Sequence, residues 1–200
     1  MSEESVKGSM LAYSVDAVRR LRDGGDVGGV EIEKSLSPET LELLEERILI
    51  TNWYPMWQFN EIQDFLWEHL YRRNPEEARK VGAEWFGSMQ ASGRYPQYEY
   101  AGRADRASSK QEMVRQTRLI ASILDLYYNF LDVEVGLDPD SGDLQVHFRN
   151  AGLFCETLRY TTEGFLLAIS RIRKGTSEWT SERIAPDVIL FTLPNTKNKA

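Results

Sequence analysis

Three short stretches decide the fold: Phe130-Leu131-Asp132-Val133-Glu134-Val135, then Asp138-Pro139-Asp140-Ser141-Gly142-Asp143, then Leu144-Gln145-Val146-His147-Phe148. In the first and third, apolar and polar residues alternate, the two-residue period of a strand with one buried face. Asp, Pro, Ser and Gly dominate the middle stretch, where Asx hydrogen bonding and a positive φ at glycine favour a reversal. The segment is a β-hairpin. Downstream the period changes. Leu158, Thr162, Phe165, Ile169 and Ile172 recur at helical spacing over residues 156–174, with Gly175 just past a basic end. Two further strands, 177–183 and 187–193, precede a polar tail at 194–200.

Upstream of the hairpin the pattern is helical. Leu11, Val15, Val18 and Leu21 predict a short amphipathic helix ending at Asp23-Gly24-Gly25, and Gly28-Gly29 read as a flexible connection. Ser37-Pro38 pairs a capping side chain with a proline suited to the first helical position, followed by Leu41, Leu44 and Ile48 on one face. Pro55 pushes Tyr54 out of the helical region, so a turn precedes a long helix over 56–72 carrying Phe59, Ile62, Phe65, Leu66 and Leu70. Asn74-Pro75 opens the next helix, through Val81, Trp85 and Met89, antiparallel to the last. Residues 92–107 read as an irregular connection, and 109–128 as a central core helix with Met113, Thr117, Ile120, Leu124 and Tyr127 inward. The fold class is α+β: helices packed on a small antiparallel sheet, one domain over 1–193 with a C-terminal tail.

Composition narrows the function classes. Among 200 residues, 24 are Lys or Arg and 31 Asp or Glu, a net charge of −7. Residues 1–48 hold 6 basic and 11 acidic side chains, net −5, whereas 91–130 hold 6 and 4, net +2. This balance argues against nucleic-acid binding, which needs clustered cations for phosphate contacts. No stretch reaches the about 18 apolar residues of a membrane span, and the acidic start Met1-Ser2-Glu3-Glu4 lacks a secretory h-region, so cytoplasmic residence is expected. The single Cys155 excludes an internal disulfide and suits a reducing compartment.

Chemistry-bearing constellations are sparse. The two histidines, His69 and His147, form no metal-ligand pair, and no Gly-rich phosphate loop, nucleophile elbow or Ser-His-Asp order stands out. The sequence therefore leans away from an enzyme and calls for no cofactor. His69, beside the apolar face of its helix, could serve as a haem ligand, although a structural histidine is the plainer reading. Asp138-x-Asp140 lacks the downstream glutamate of a calcium loop and reads as a hairpin turn. Cys155 reads as a structural thiol. Tyr95, Tyr98 and Tyr100 interleave with Arg94, Arg103 and Arg106, a pattern open to an anion or an acidic partner as well as to a tyrosine-packed loop. Trp53, Tyr54, Trp57 and Phe59 make the densest aromatic cluster, either core anchors or a partner surface.

Three segments together carry a resemblance: Val6-Lys7-Gly8-Ser9, Ile48-Leu49-Ile50-Thr51-Asn52-Trp53-Tyr54-Pro55, and Arg159-Tyr160-Thr161-Thr162-Glu163-Gly164-Phe165-Leu166. With their Trp-Tyr-Pro and Tyr-x-x-Glu-Gly elements they resemble an uncharacterised family of cytoplasmic myxobacterial proteins. That family is similar to the superfamily containing haem nitric-oxide-binding domains, 4-vinyl reductase domains and TRAPP-type vesicle-tethering subunits. The resemblance implies helices on an antiparallel sheet, often with a small-molecule pocket between them, and frequent dimers. Tyr160-Thr161-Thr162-Glu163 departs from the Tyr-x-Ser-x-Arg element of the haem-binding branch. The cysteine cluster of some vinyl-reductase domains is missing as well.

The expectation is a non-catalytic cytoplasmic sensory or regulatory module. Its small apolar ligand would sit between the 56–72 and 109–128 helices and the sheet, against Phe65, Ile120, Leu124, Tyr127 and Phe165. A protein partner, or a second copy of the chain in a homodimer or scaffold without ligand, would meet Trp53, Tyr54, Trp57, Arg103 and Arg106. A haem-based gas sensor is the remaining alternative.

Overall fold

The computed structural model describes residues 3–91, 110–172 and 178–195, with the side chains of Val30, Gln90, Lys110, Ile120, Asp125 and Ile172 left outside that description. The hairpin forms as its turn chemistry dictates. Asp138 Oδ1 accepts from the amides of Asp140 at 3.0 Å and Ser141 at 2.8 Å, while Gly142 adopts φ 69°. The Ser141 amide and hydroxyl, with the Asp140 amide, hold the Asp138 carboxyl below its usual range. This carboxylate is therefore committed to its own turn rather than to a calcium ion.

The turn joins β3 (Asp132–Leu137) to β4 (Leu144–Arg149), and β5 (Thr180–Ala185) and β6 (Val188–Leu193) complete a four-stranded antiparallel sheet in the order β3-β4-β6-β5. Register sets Val146 opposite Val135 and Phe191, and Phe148 opposite Ile189. Alternation then turns Val146, Phe148, Ile189 and Phe191 into the core, each 1% exposed or less. Edge strands expose unpaired carbonyls, and here arginines occupy some of them. Arg118 donates twice to Val135 O of β3, at 3.1 and 2.9 Å, and Arg159 donates to Ser181 O of β5 at 2.8 Å.

Helices cover the sheet: α1 (Gly8–Asp23), α2 (Gly29–Ser35), α3 (Pro38–Glu45), α4 (Met56–His69), α5 (Pro75–Ala91), α6 (Lys110–Ala121) and α7 (Glu156–Ile172). Ser37 caps α3 as expected, its Oγ accepting from Thr40 N at 3.3 Å. Three features depart from the sequence reading. The connection after Gly28 is a short helix, because Ile32, with flanking Val27 and Leu36, buries against the core. Two three-residue strands, β1 (Ser5–Lys7) and β2 (Trp53–Pro55), pair antiparallel with Val6 opposite Tyr54. The helix expected over 109–128 stops at Ala121 and gives way to a 3₁₀ turn at Leu124–Leu126. Beyond it the backbone must meet β1: Val6 bridges Tyr128, and Lys7 N donates to Tyr127 O at 2.8 Å.

Helices α5 and α7 run antiparallel at a separation only glycine permits. A Cβ on Gly82 would sit 1.9 Å from Thr161 O, and one on Gly164 would sit 1.8 Å from Arg79 O. Beside this contact the Glu163 carboxylate, 2% exposed, lies in a charge ladder. Arg79 Nε reaches it at 2.5 Å, the Ser181 hydroxyl donates to its other oxygen, and Arg159 Nη1 stands 3.8 Å away while donating to Ser181 Oγ at 2.7 Å. Glu76 and Glu156 take up the remaining charge of Arg79 and Arg159, each at 2.6 Å. Tyr160 stacks on Trp67 at 5.7 Å and has the Arg159 guanidinium 4.2 Å from its ring centre.

Gly164→Ala forces the helices apart, so urea unfolding should report a loss of about 3 kcal/mol or more, the range of overpacked cores. Gly87→Ala, in the same helix pair but with nothing within 4 Å of the new Cβ, should leave stability unchanged or raise it by up to about 1 kcal/mol. Equal effects of the two substitutions would contradict the close-contact account.

Candidate functional site

Five helices and β4 close around a cavity of about 70 Å³. Helix α1 contributes Met10, Tyr13 and Ser14; α4 contributes Phe59 and Gln63; α5 contributes Val81, Gly82 and Trp85. Thr117 and Ala121 of α6 face Leu158, Thr161, Thr162, Phe165 and Leu166 of α7 across it. Val146 and Phe148 of β4, with Tyr71, Leu124 and Tyr128, complete the wall. The close α5–α7 contact is part of that wall, since Gly82 and Thr161 belong to both. Aromatic packing stiffens it: Trp85 lies 4.9 Å from Phe165 and 5.9 Å from Tyr127, and Phe86 meets Phe165 edge-on at 5.4 Å.

The wall is mainly apolar with a few buried polar groups. Gln63 Nε2 donates to Ser14 Oγ at 2.7 Å, tying α4 to α1, and Thr157 Oγ1 donates to Gln63 O at 3.4 Å. Tyr71 and Tyr128 are each 3% exposed, and burial pushes both phenols well above their ordinary range. They are neutral at any physiological pH, hydrogen-bond donors rather than phenolates.

Of the residues expected to line a pocket, Leu124 and Phe165 are on this wall. Phe65 and Tyr127 are buried beside it instead, Phe65 against His69 at 4.4 Å and Tyr127 against Trp85. The Ile120 side chain lies outside the described residues. Sequence reasoning missed Met10, Tyr13 and Ser14 of α1, Gln63 of α4, and the two buried tyrosines. A signal existed for one pair: Ser14 and Gln63 are polar residues set within apolar helical faces, where burial demands a partner.

In the aromatic cluster, Trp53 is 43% and Trp57 40% exposed, next to Leu49 at 49% and Ile50 at 52%. Lys7 Nζ sits 4.3 Å above the Trp53 ring. Tyr54 is half-buried and holds the local turn, its hydroxyl accepting from Leu49 N at 2.9 Å. Arg103 and Arg106 lie outside the described residues, as does the expected 92–107 connection.

No protein-family model and no curated protein matches the sequence. Solved structures do match in fold. An H-NOX protein from S. oneidensis in the Fe(II)NO ligation state superposes with a TM-score of 0.54 at 14% identity, covering 94% of this chain and 99% of that one. A mutant of T. Tengcongensis H-NOX gives 0.52 at 12% identity, covering 94% and 98%. The chain thus has an α+β fold like that of H-NOX domains, nearly end to end. Among the described residues no helix is long and apolar enough to cross a membrane.

The residues present do not fit a haem. Neither histidine is on the cavity wall: His69 Nδ1 lies 4.0 Å from Glu31 Oε1 at the end of α4, and His147 is paired within the sheet opposite Glu134 and Leu190. The wall's phenols are held neutral, and about 70 Å³ falls well short of the about 300–1,000 Å³ of cofactor-sized pockets. Among the described residues no cluster of three or more His, Cys, Asp or Glu is placed to hold a metal ion.

Cys155 immediately precedes α7. Burial pushes its thiol up to about 12; the amides of Leu158 and Thr157 pull the other way, and the Asp64 carboxylate adds to the rise. The thiol therefore stays protonated and unreactive. Iodoacetamide at pH 8 should alkylate the native protein more than about 100-fold slower than the urea-unfolded chain. Equal rates, read by intact mass, would show a thiolate that the fold does not suppress.

Proposed function

We propose that this chain is a non-catalytic sensory or regulatory module that takes a small apolar ligand into the cavity between its helices and its sheet. The observation that carries this reading is convergence: one mainly apolar cavity touches five helices and β4 at once. A ligand there contacts α1, α4, α5, α6, α7 and β4 at once, so its binding free energy can bias their packing, as a sensory domain requires. Likeness in fold to proteins whose solved forms include a nitric-oxide ligation state supports a ligand-binding role, with the haem itself replaced by direct occupancy. An engineered apolar cavity of about 150 Å³ accepts benzene or xenon, so a chamber half that size suits a ligand of about three or four heavy atoms. The Trp-Tyr-Pro and Tyr-x-x-Glu-Gly elements further support a place in the myxobacterial family they resemble, and the cysteine usage supports a cytoplasmic setting.

Xenon is the direct probe. Under a few atmospheres of the gas, methyl resonances of cavity residues such as Val81, Leu124 and Leu158 should shift and saturate. Ala121→Leu, which fills the chamber from the wall, should abolish the effect while the fold persists. Unchanged wild-type spectra would remove the ligand-binding reading.

A second reading rests on a different observation, the exposed Leu49, Ile50, Trp53 and Trp57. Contiguous exposed apolar side chains mark interaction surfaces, and a second copy of the chain could cover them. Sedimentation at high micromolar concentration should then show a dimer that Trp53→Ser with Trp57→Ser dissociates about 10-fold more readily or beyond. A monomer at all concentrations would discard the homodimer.

A further inference from the structure

We propose that a second cleft, between α4 and the start of α7, binds a primary alkylammonium whose charge pairs with Asp64 while its chain lies against Trp67, Leu153 and Pro186. The cleft holds about 520 Å³, inside the about 300–1,000 Å³ of small-molecule sites, and shares no residue with the cavity wall. Asn60, Asp64 and Trp67 form one side, at positions i, i+4 and i+7 of α4, which share a helix face. The rest comes from Gly152 and Leu153 of the 3₁₀ turn Ala151–Leu153, residues 154–157 entering α7, and Arg183 and Pro186 at the β5–β6 turn. Asn60 Nδ2 donates to Leu153 O at 2.8 Å, fastening α4 to the 3₁₀ turn, and Trp67 is held in place by stacking on Tyr160.

Donors on the cleft side chains of Asn60, Thr157 and Arg183 are engaged, and acceptors are left over. Arg183 is the one cation among the lining residues, and its guanidinium donates to Ala151 O and Pro186 O, each at 3.1 Å, and to Phe154 O at 2.5 Å. Its Nε lies 3.5 Å from Glu156 Oε1, and Arg159 holds the other oxygen of Glu156 at 2.6 Å. The Thr157 hydroxyl donates to Gln63 O. Asp64 is left without a cation, since it makes no ion pair or side-chain hydrogen bond among the described residues. Partial burial, with the Glu68 carboxylate adding to it, holds its carboxyl above the usual range, as befits a negative charge with no partner. Across the cleft the same carboxylate adds to the rise of the Cys155 thiol. Asn60 Oδ1 is buried without a partner as well, so both of these leftover groups are acceptors. The amides opening α7, which would favour an anion, are met by the Cys155 sulfur and by Glu156 in the first turn. An ammonium brings a positive charge and three donors and accepts nothing. Exposed Leu153 and Pro186, with Trp67, offer its carbon chain an apolar surface.

Titrations followed by amide NMR would compare n-pentylammonium with n-pentanol, which matches its chain without the charge, and with pentyltrimethylammonium, which keeps the charge without N–H donors. Pentylammonium should shift residues 60–67 and 152–157 to saturation, with both analogues about 3-fold weaker or more. Asp64→Asn should weaken pentylammonium about 3- to 5-fold, the range of a partly exposed ion pair. Asp140→Asn, which removes the same charge in the turn at the far end of β4, should leave its affinity unchanged. Equal binding to wild type and Asp64→Asn, equal binding of either analogue, or shifts spread over acidic residues without saturation would overturn the proposal. A blocked peptide with a single central lysine carries the same ammonium and separates its sources. Binding tighter than that of pentylammonium assigns the cleft to a partner's lysine, weaker binding assigns it to a free amine, and both orders keep Asp64 as the receiver.

Discussion

The backbone contact between α5 and α7 is the constraint on which the rest of the structure depends. Gly82 and Gly164 let the two helices meet at main-chain distance, where each helix presents a carbonyl to the space a Cβ would fill. Contacts of this kind leave no side chain free to adjust, so they fix the spacing of everything attached to the pair. On one side of the contact Trp85 and Phe165 form part of the chamber wall, and Phe86 packs edge-on against Phe165. On another, the ladder Glu76–Arg79–Glu163 and Ser181–Arg159–Glu156 ties α7 to α5 and to the edge strand β5. Burying Glu163 carries a desolvation cost that attraction alone need not offset. Alternating charges and full hydrogen bonding around it make the arrangement tolerable, and they specify one register over its neighbours.

That spacing explains why the chamber is small. Helices that touch through glycine cannot part to admit a large planar group without breaking the charge ladder and exposing the Glu163 carboxylate. The wall can vary only through its side chains, and among its polar groups Ser14 and Gln63 bond each other while the Thr161 hydroxyl donates to Leu158 O.

Local chemistry was legible in the sequence and distant convergence was not. The hairpin follows from Asp138, Ser141 and Gly142, whose roles are set within six residues, and the start of α3 follows from Ser37 and Pro38 for the same reason. The strands β1 and β2 have three residues each, too few for alternation to register, and they exist because Val6 finds Tyr54 and Tyr128 across the chain. Helix α2 hid behind Gly28-Gly29, and the early end of α6 reflects a bridge to residue 6 that no local pattern encodes. At the site, Leu124 and Phe165 were visible as members of apolar faces. Glu163 was one of 31 acidic residues until folding put it between two arginines, although the Tyr-x-x-Glu-Gly element had already set Tyr160, Glu163 and Gly164 side by side. Each of the three now has a physical task in stacking, charge pairing or helix contact.

Likeness in fold at 12–14% identity is consistent with this division of labour. A frame held by sheet register and glycine-mediated helix contact depends on a few positions, and most others are free to change without altering the path of the chain. Replacing metal-ligating side chains with aromatic and aliphatic ones leaves the frame standing and changes only what it can hold. In this chain the wall carries aromatic and aliphatic side chains with a few hydroxyls and no histidine. Any occupant of the chamber would touch α1, α4, α5, α6, α7 and β4 together.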